Sequence, residues 1–263
     1  MKTKCKLIIL AACRLIGGAG SAGAVLLIAA IAPAQNLFVS NQSPGGPIYE
    51  FTPDGVRSDF VLGLPYTLGL AFDRTGNLFV GVQDLQAIYK ETPSRQESQF
   101  ATGLYDPWGL AFNSAGKLFE ADANGLINEF TTTGIRTTFA GGLSHYSHAL
   151  AFNNAGILFV ADQNSGNIYE FTPAATRSTF ASGLNKPTGL AFDSAGNLFV
   201  ADDGSGNLLE FTPGGSPSTV ATGLGNATGL AIQGQTLPVP EPSALALLAI
   251  GAGLWFRRRH GNA

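Results

Sequence analysis

Between Leu37 and Ile232 the chain alternates short apolar runs with clusters of Gly, Asn, Asp, Thr and Pro, and the alternation is periodic. Gly69-Leu70-Ala71-Phe72 recurs as Gly109 to Phe112, Ala149 to Phe152, Gly189 to Phe192 and Gly229 to Ile232, each copy 40 residues after the last. The cleanest unit reads GLAFDSAGNLFVADDGSGNLLEFTPGGSPSTVATGLGNAT, four apolar segments separated by turn residues. Short β-rich runs at intervals of about 8–12 residues predict strands joined by tight turns, and so an all-β fold. In Asp73-Arg74-Thr75-Gly76-Asn77 and Asp193-Ser194-Ala195-Gly196-Asn197, Asp is placed to cap the turn and Gly to take its left-handed position.

The phenylalanines fix the unit more tightly. Of 18, only Phe256 lies outside the repeats. The other 17 occupy four slots per unit, one in each predicted strand. The exceptions are Glu91, Val220 and Ile232. One large ring at the same place in every strand suits sheets stacked face to face, each ring burying about 150–250 Å². A four-stranded unit of about 40 residues is a β-propeller blade. The repeats open on a second strand, Leu37 to Val39, and close on a lone first strand, Gly229 to Ile232. Pairing the last strand with the N-terminal three completes a fifth blade and removes the open edge. The expectation is therefore five blades, with six as the alternative count.

The stretch from Pro187 to Asp202, PTGLAFDSAGNLFVAD, resembles the NHL-type repeat and the broader gluconolactonase-like propellers. The resemblance covers about Leu37 to Ile232. It implies a propeller fold and leaves the activity open, because propellers carry unrelated functions. Enzymes among those relatives hold a metal with Glu, Asn and Asp, or use a His with a Glu. No position here matches those motifs, so no catalytic residue and no metal ligand is carried over.

The two ends are of different composition. Residues 1–34 carry Lys2, Lys4, Lys6 and Arg14, an apolar stretch to Ile31, and Ala32-Pro33-Ala34 before Gln35. That is the pattern of a cleaved signal peptide. Leu10-Ala11-Ala12-Cys13 also resembles a lipobox, which offers lipidation of Cys13 as a second fate. Cys5 and Cys13, the only cysteines, both lie in this leader, so the exported body would have no disulfide. About 200 residues remain, enough for a self-sufficient core. All 18 acidic residues but only eight of the 15 basic ones fall between Gln35 and Pro242, a net of −10. A body that acidic repels phosphate backbones, which excludes nucleic acid as a partner.

At the other end, Val239-Pro240-Glu241-Pro242 precedes 14 uncharged residues, Ser243 to Phe256, and then Arg257, Arg258 and Arg259. As a helix the uncharged run is about 21 Å long, against the ~30 Å of a bilayer core. It is a marginal transmembrane helix, and the arginines place its end in the cytoplasm. Pro-Glu-Pro, a short apolar helix and an arginine cluster, in that order, resemble the PEP-CTERM sorting signal of Gram-negative bacteria. That resemblance implies an exosortase-type membrane enzyme as partner, a transient inner-membrane anchor, and delivery to the cell surface or exopolysaccharide matrix. The expected organisation is thus signal peptide 1–34, propeller 35–234, linker 235–242 and sorting tail 243–263.

Candidate chemistry within the propeller is sparse. Asp122, Asp162 and Asp202 recur at one repeat position and predict turn caps, with a ring holding a divalent cation as the alternative. Gly223 to Gly229 has the wrong spacing for a phosphate loop, and three histidines without G-x-S-x-G make a hydrolase triad improbable. Glu91, in a Phe slot, predicts an edge charge that discourages aggregation. The repeat departs from its rule between fourth and first strands. The third copy reads Leu143-Ser144-His145-Tyr146-Ser147-His148, one residue longer than its fellows, and its neighbour reads Leu104-Tyr105-Asp106-Pro107-Trp108. Such loops gather on one propeller face. Tyr105, Asp106, Trp108, His145, Tyr146 and His148 therefore predict a platform for a sugar or other polar envelope ligand. The expected function is a non-enzymatic exported binding module without a cofactor. A metal-dependent propeller lyase or lactonase is the alternative.

Overall fold

The structure, a computed structural model, describes residues 36–40, 45, 48–52, 56–61, 63–145 and 147–224. They form a five-bladed β-propeller. The first blade contains β1 (Leu37–Val39), β2 (Ile48–Phe51) and β3 (Arg57–Val61). The second is β4 (Thr67–Phe72), β5 (Leu78–Val82), β6 (Ala87–Glu91) and β7 (Glu97–Thr102). The third is β8 (Pro107–Phe112), β9 (Leu118–Asp122), β10 (Leu126–Phe130) and β11 (Arg136–Ala140). The fourth is β12 (Ser147–Phe152), β13 (Leu158–Asp162), β14 (Asn167–Phe171) and β15 (Arg177–Ala181). The fifth is β16 (Pro187–Phe192), β17 (Leu198–Asp202), β18 (Asn207–Phe211) and β19 (Pro217–Ala221). Every sheet is an antiparallel meander in chain order. The segment expected to close the first blade, 229–232, the leader and the sorting tail lie outside the described residues. Among the described residues no helix is long and apolar enough to cross a membrane.

The meander follows from the turn chemistry. Asp73 Oδ1 accepts the backbone N–H groups of Thr75 and Asn77, both at 2.9 Å, and Gly76 takes φ +82° in the same turn. Asp193 repeats the arrangement, and Asn113 and Asn153 serve with their amide oxygens. The local sequence alone closes each of these hairpins.

Blades are joined by the phenylalanine lattice. Phe79 in the second blade meets Phe100 of its own sheet and Phe112 of the next at 4.9 and 5.0 Å between ring centroids, both edge-to-face. Phe119 with Phe139 and Phe152, and Phe159 with Phe180 and Phe192, repeat the triad at 4.9–5.1 Å. Edge-to-face packing sets the positive rim of one ring against the negative face of another and adds about 0.5–1.5 kcal/mol to simple burial. Phe130, Phe171 and Phe211 then fill the third-strand slot of successive seams and are almost wholly buried. In the first seam that slot holds Glu91, which is only 3% exposed. It is not the solvated edge charge its position suggested, because β6 is an interior strand covered by β7 and by the neighbouring blade.

The inner strands pack closely around the axis, β4 on β8, β8 on β12 and β12 on β16. A Cβ on Gly69 would lie 2.5 Å from the carbonyl oxygen of Trp108, and one on Gly81 2.4 Å from that of Pro107. Backbone meets backbone at these two positions, so any side chain there would force the second and third blades apart.

Candidate functional site

The loops that lead from one blade into the next lie on the same face as the hairpins between second and third strands, and the two are laced together. Leu104, Leu143, Leu184 and Leu224 each donate their N–H to Gln86, Gly125, Gly166 and Gly206, respectively, at 2.8–3.3 Å. Each loop then reaches forward. Tyr105 N–H donates to Asp122 Oδ2 at 3.1 Å, and Ser144 N–H to Asp162 Oδ2 at 2.9 Å. The opposite oxygen of each carboxylate accepts from its own hairpin, Asn124 N–H for Asp122 and Ser165 N–H for Asp162. Asp202 accepts from the Ser205 hydroxyl at 2.6 Å. Asp122 and Asp162 are therefore caps that lock a loop to a hairpin, whereas Asp202 bonds within its own hairpin and leaves Oδ1 without a partner among the described residues. Desolvation nevertheless leaves the Asp122 carboxyl above its ordinary value despite the N–H bonds it accepts. Among the described residues no three His, Cys, Asp or Glu side chains converge as metal ligands.

Of the platform residues, the structure gathers two around the hairpin Ala123–Gly125. Tyr105 is 56% exposed, and its carbonyl accepts Ala123 N–H at 2.9 Å. Ala123 O in turn lies 3.2 Å from His145 Nδ1, which must carry the proton there because a carbonyl only accepts. One residue thus ties the tyrosine loop to the histidine loop. Asp106, held at φ +51°, accepts from Gln83 Nε2 at 3.2 Å. Trp108 lies half-buried at the β-bulge of β8, where register with β9 slips between Pro107 and Gly109. Bulges re-aim a side chain next to binding surfaces. Tyr146 and the side chain of His148 lie outside the described residues.

A second departure from the repeat is written into the third blade. Four blades pair Val with Tyr or Leu across the second and third strands: Val39 with Tyr49, Val80 with Tyr89, Val160 with Tyr169, Val200 with Leu209. The third pairs Glu120 with Asn128. Glu120 is wholly buried, Asn128 is 3% exposed, and Asn128 Nδ2 donates to Glu120 Oε2 at 2.8 Å. Glu120 Oε1 has no hydrogen-bond partner among the described residues. Burial pushes this carboxyl up to about 8, eased by the Asn128 bond and aggravated by Asp122, so at neutral pH it is largely the protonated acid.

Exchanging Tyr for Asn also shortens a side chain that elsewhere fills the seam. Arg57 stacks over Tyr49 at 4.7 Å and Arg177 over Tyr169 at 4.9 Å. Their counterpart Arg136 faces Asn128 and donates from Nη1 to Gly103 O at 2.7 Å. A cavity of about 360 Å³ lies here between the second and third blades, bordered by Gln86, Tyr105, Asp122, Asn128, Arg136 and Thr138. A more open hollow of about 520 Å³ shares Arg136 and runs toward Gln99 and Thr102. The signal was present in the sequence, as two matched departures eight residues apart. It emerges only when the five copies are aligned strand by strand.

Comparison with known proteins separates tail from body. Residues 238–259 match the PEP-CTERM protein-sorting motif. The motif marks the chain for export as a membrane-anchored precursor and for processing by an exosortase-type sorting enzyme. No curated protein matches the chain. Among solved structures, virginiamycin B lyase from Staphylococcus aureus is 14% identical at a TM-score of 0.61, covering 74% of this chain and 71% of the lyase. A chain of the nidogen/laminin complex is 20% identical at a TM-score of 0.66, over 73% of this chain and 79% of that one. A protein of unknown function from Bacteroides thetaiotaomicron is 16% identical at 0.61, over 71% and 55%. At such identities the likeness establishes the propeller fold alone.

Proposed function

We propose that the protein is a non-enzymatic binding module, sorted through its tail to the cell surface or extracellular matrix of a Gram-negative bacterium, where the propeller face carrying Tyr105, Asp106, Trp108 and His145 meets an envelope carbohydrate. The observation that carries this reading is the PEP-CTERM motif at 238–259 on a propeller in which the recurrent carboxylates of Asp122 and Asp162 hold loops to hairpins. By sequence, Tyr146 and His148 fall in the same stretch and are included in the proposal. A platform of exposed tyrosine, half-buried tryptophan and polar side chains gives sugar rings a stacking face together with directional hydrogen bonds.

The test is a glycan array probed with the purified propeller and its Trp108→Ala variant. Binding of the parent protein and a loss of about tenfold in the variant support the platform. Equal binding by both removes it. The lyase likeness favours a second reading, a metal-dependent lyase or lactonase. A shift of thermal unfolding on titration with Ca²⁺ or Mg²⁺ would support that reading, and its absence would count against it.

A further inference from the structure

The seam between the second and third blades is built differently from every other seam whose strands are described. Two positions change together, Val to Glu and Tyr or Leu to Asn, and the changed side chains bond to each other. Neither change helps folding. A buried carboxyl with one oxygen unpartnered costs stability, and a short amide in a tyrosine's place leaves space where the other seams have packing. Together they set a polar pair beside the hollow, with Asn128 at its border. Asn128, Thr138 and Gln86 present amide and hydroxyl groups that both donate and accept, beside Asp122 and the guanidinium of Arg136. Tyr105, an exposed aromatic, also borders the cavity, and Leu104 and Leu126 supply apolar wall.

We propose that this seam is a binding site for an uncharged polyhydroxylated chain, a neutral polysaccharide, with a sugar ring in the cavity where three of the other blades place a tyrosine and the fifth a leucine. Mixed donors and acceptors match hydroxyl groups, which are themselves both. The cavity's size falls in the range of small-ligand clefts, about 300–1,000 Å³. The neighbouring hollow sharing Arg136 lets the chain continue outward along the seam. Polyanions are disfavoured on two grounds: Asp122 borders the cavity, and the surrounding body carries a net charge of −10. Glu120 is a positioning residue. It does not border the cavity, and its Oε2 fixes the amide of Asn128, which does.

The inference rests on the reading of the propeller as a binding module, at a site that shares Tyr105 with the platform but not Trp108 or His145, and the two are separable. The double variant Glu120→Val/Asn128→Tyr installs the residue pair of the second and fourth blades. It should fold at least as stably as the parent, and Asn128→Leu, the residue of the fifth blade, is the second variant should it not. Purified propellers are probed with neutral gluco-, manno-, galacto- and xylo-oligosaccharides, and with alginate and polygalacturonate. The expected result is binding of a neutral oligosaccharide that is weakened roughly tenfold or more by filling the seam; an additional loss in Trp108→Ala supports one chain that spans both the seam and the platform. Undiminished binding in the filled variants overturns the seam site, as does binding of the acidic polymers alone or of nothing. Loss in Trp108→Ala with none in the filled variants overturns it in favour of the platform.

Discussion

At the residue scale, two buried glutamates stand where the repeat calls for apolar groups, and they pull stability in the same direction. Burial pushes Glu120 up to about 8, and burial together with the opposing Glu97 carboxylate pushes Glu91 up to about 7. The ordinary value for each is 4.5. Both are acids raised on folding, so between that value and the raised one the folded protein holds protons that the unfolded chain releases. The contribution of these two groups to stability therefore falls as pH rises from about 4.5 to about 7 for Glu91 and about 8 for Glu120, by at most about 1.4 kcal/mol per pH unit for each. Thermal unfolding across pH 4 to 9 should show that decline in the parent protein and a shallower one in Glu120→Val. A parent profile that rises over the window would refute the burial of both groups. Glu91→Phe, which restores the ring of the first seam, should raise the melting temperature at pH 8 by several degrees. No gain there would mean that the first seam is already satisfied.

At the scale of the strand and turn, stability is concentrated in the second-strand phenylalanines. Each of Phe79, Phe119 and Phe159 touches a ring in its own blade and one in the next. Phe159→Ala should cost about 3–5 kcal/mol, measured by denaturant unfolding. Asp162 joins the loop at Ser144 to its hairpin at Ser165, and Asp162→Ala should cost about 1–2 kcal/mol through two orphaned N–H groups. These elements were legible in the sequence. Phe spacing and D-x-x-G-N turns depend on local pattern, and the structure places them as the pattern predicts. Glu120 and Glu91 were harder to read, because an acid in a strand looks the same whether the next blade covers it or water does. Their burial is set by the seam, a contact between strands about 40 residues apart. Loop length and aromatic content pointed to Tyr105 and His145, but the Ala123 bridge between them is a property of the assembled face.

At the scale of the whole molecule, the described residues leave the first blade with three strands and β1 as its innermost. The residues assigned from the repeat to complete it are 229–232. Ending the chain after Leu224 should therefore lower the melting temperature sharply and expose a free strand edge, detectable as self-association. Unchanged melting would show that closure does not depend on that segment. Beyond it lies the sorting tail, and here the account divides labour between delivery by the tail and recognition by the propeller. If the tail is removed on delivery, as proposed, the molecule's final mass reports on that division directly. The decisive measurement is intact-mass analysis of the protein recovered from the cell surface and medium of the native host. The predicted species lacks Arg257, Arg258 and Arg259, and it disappears when Pro240, Glu241 and Pro242 are replaced by alanine. Recovery of the chain only as a membrane-bound form that retains the arginines would contradict the account.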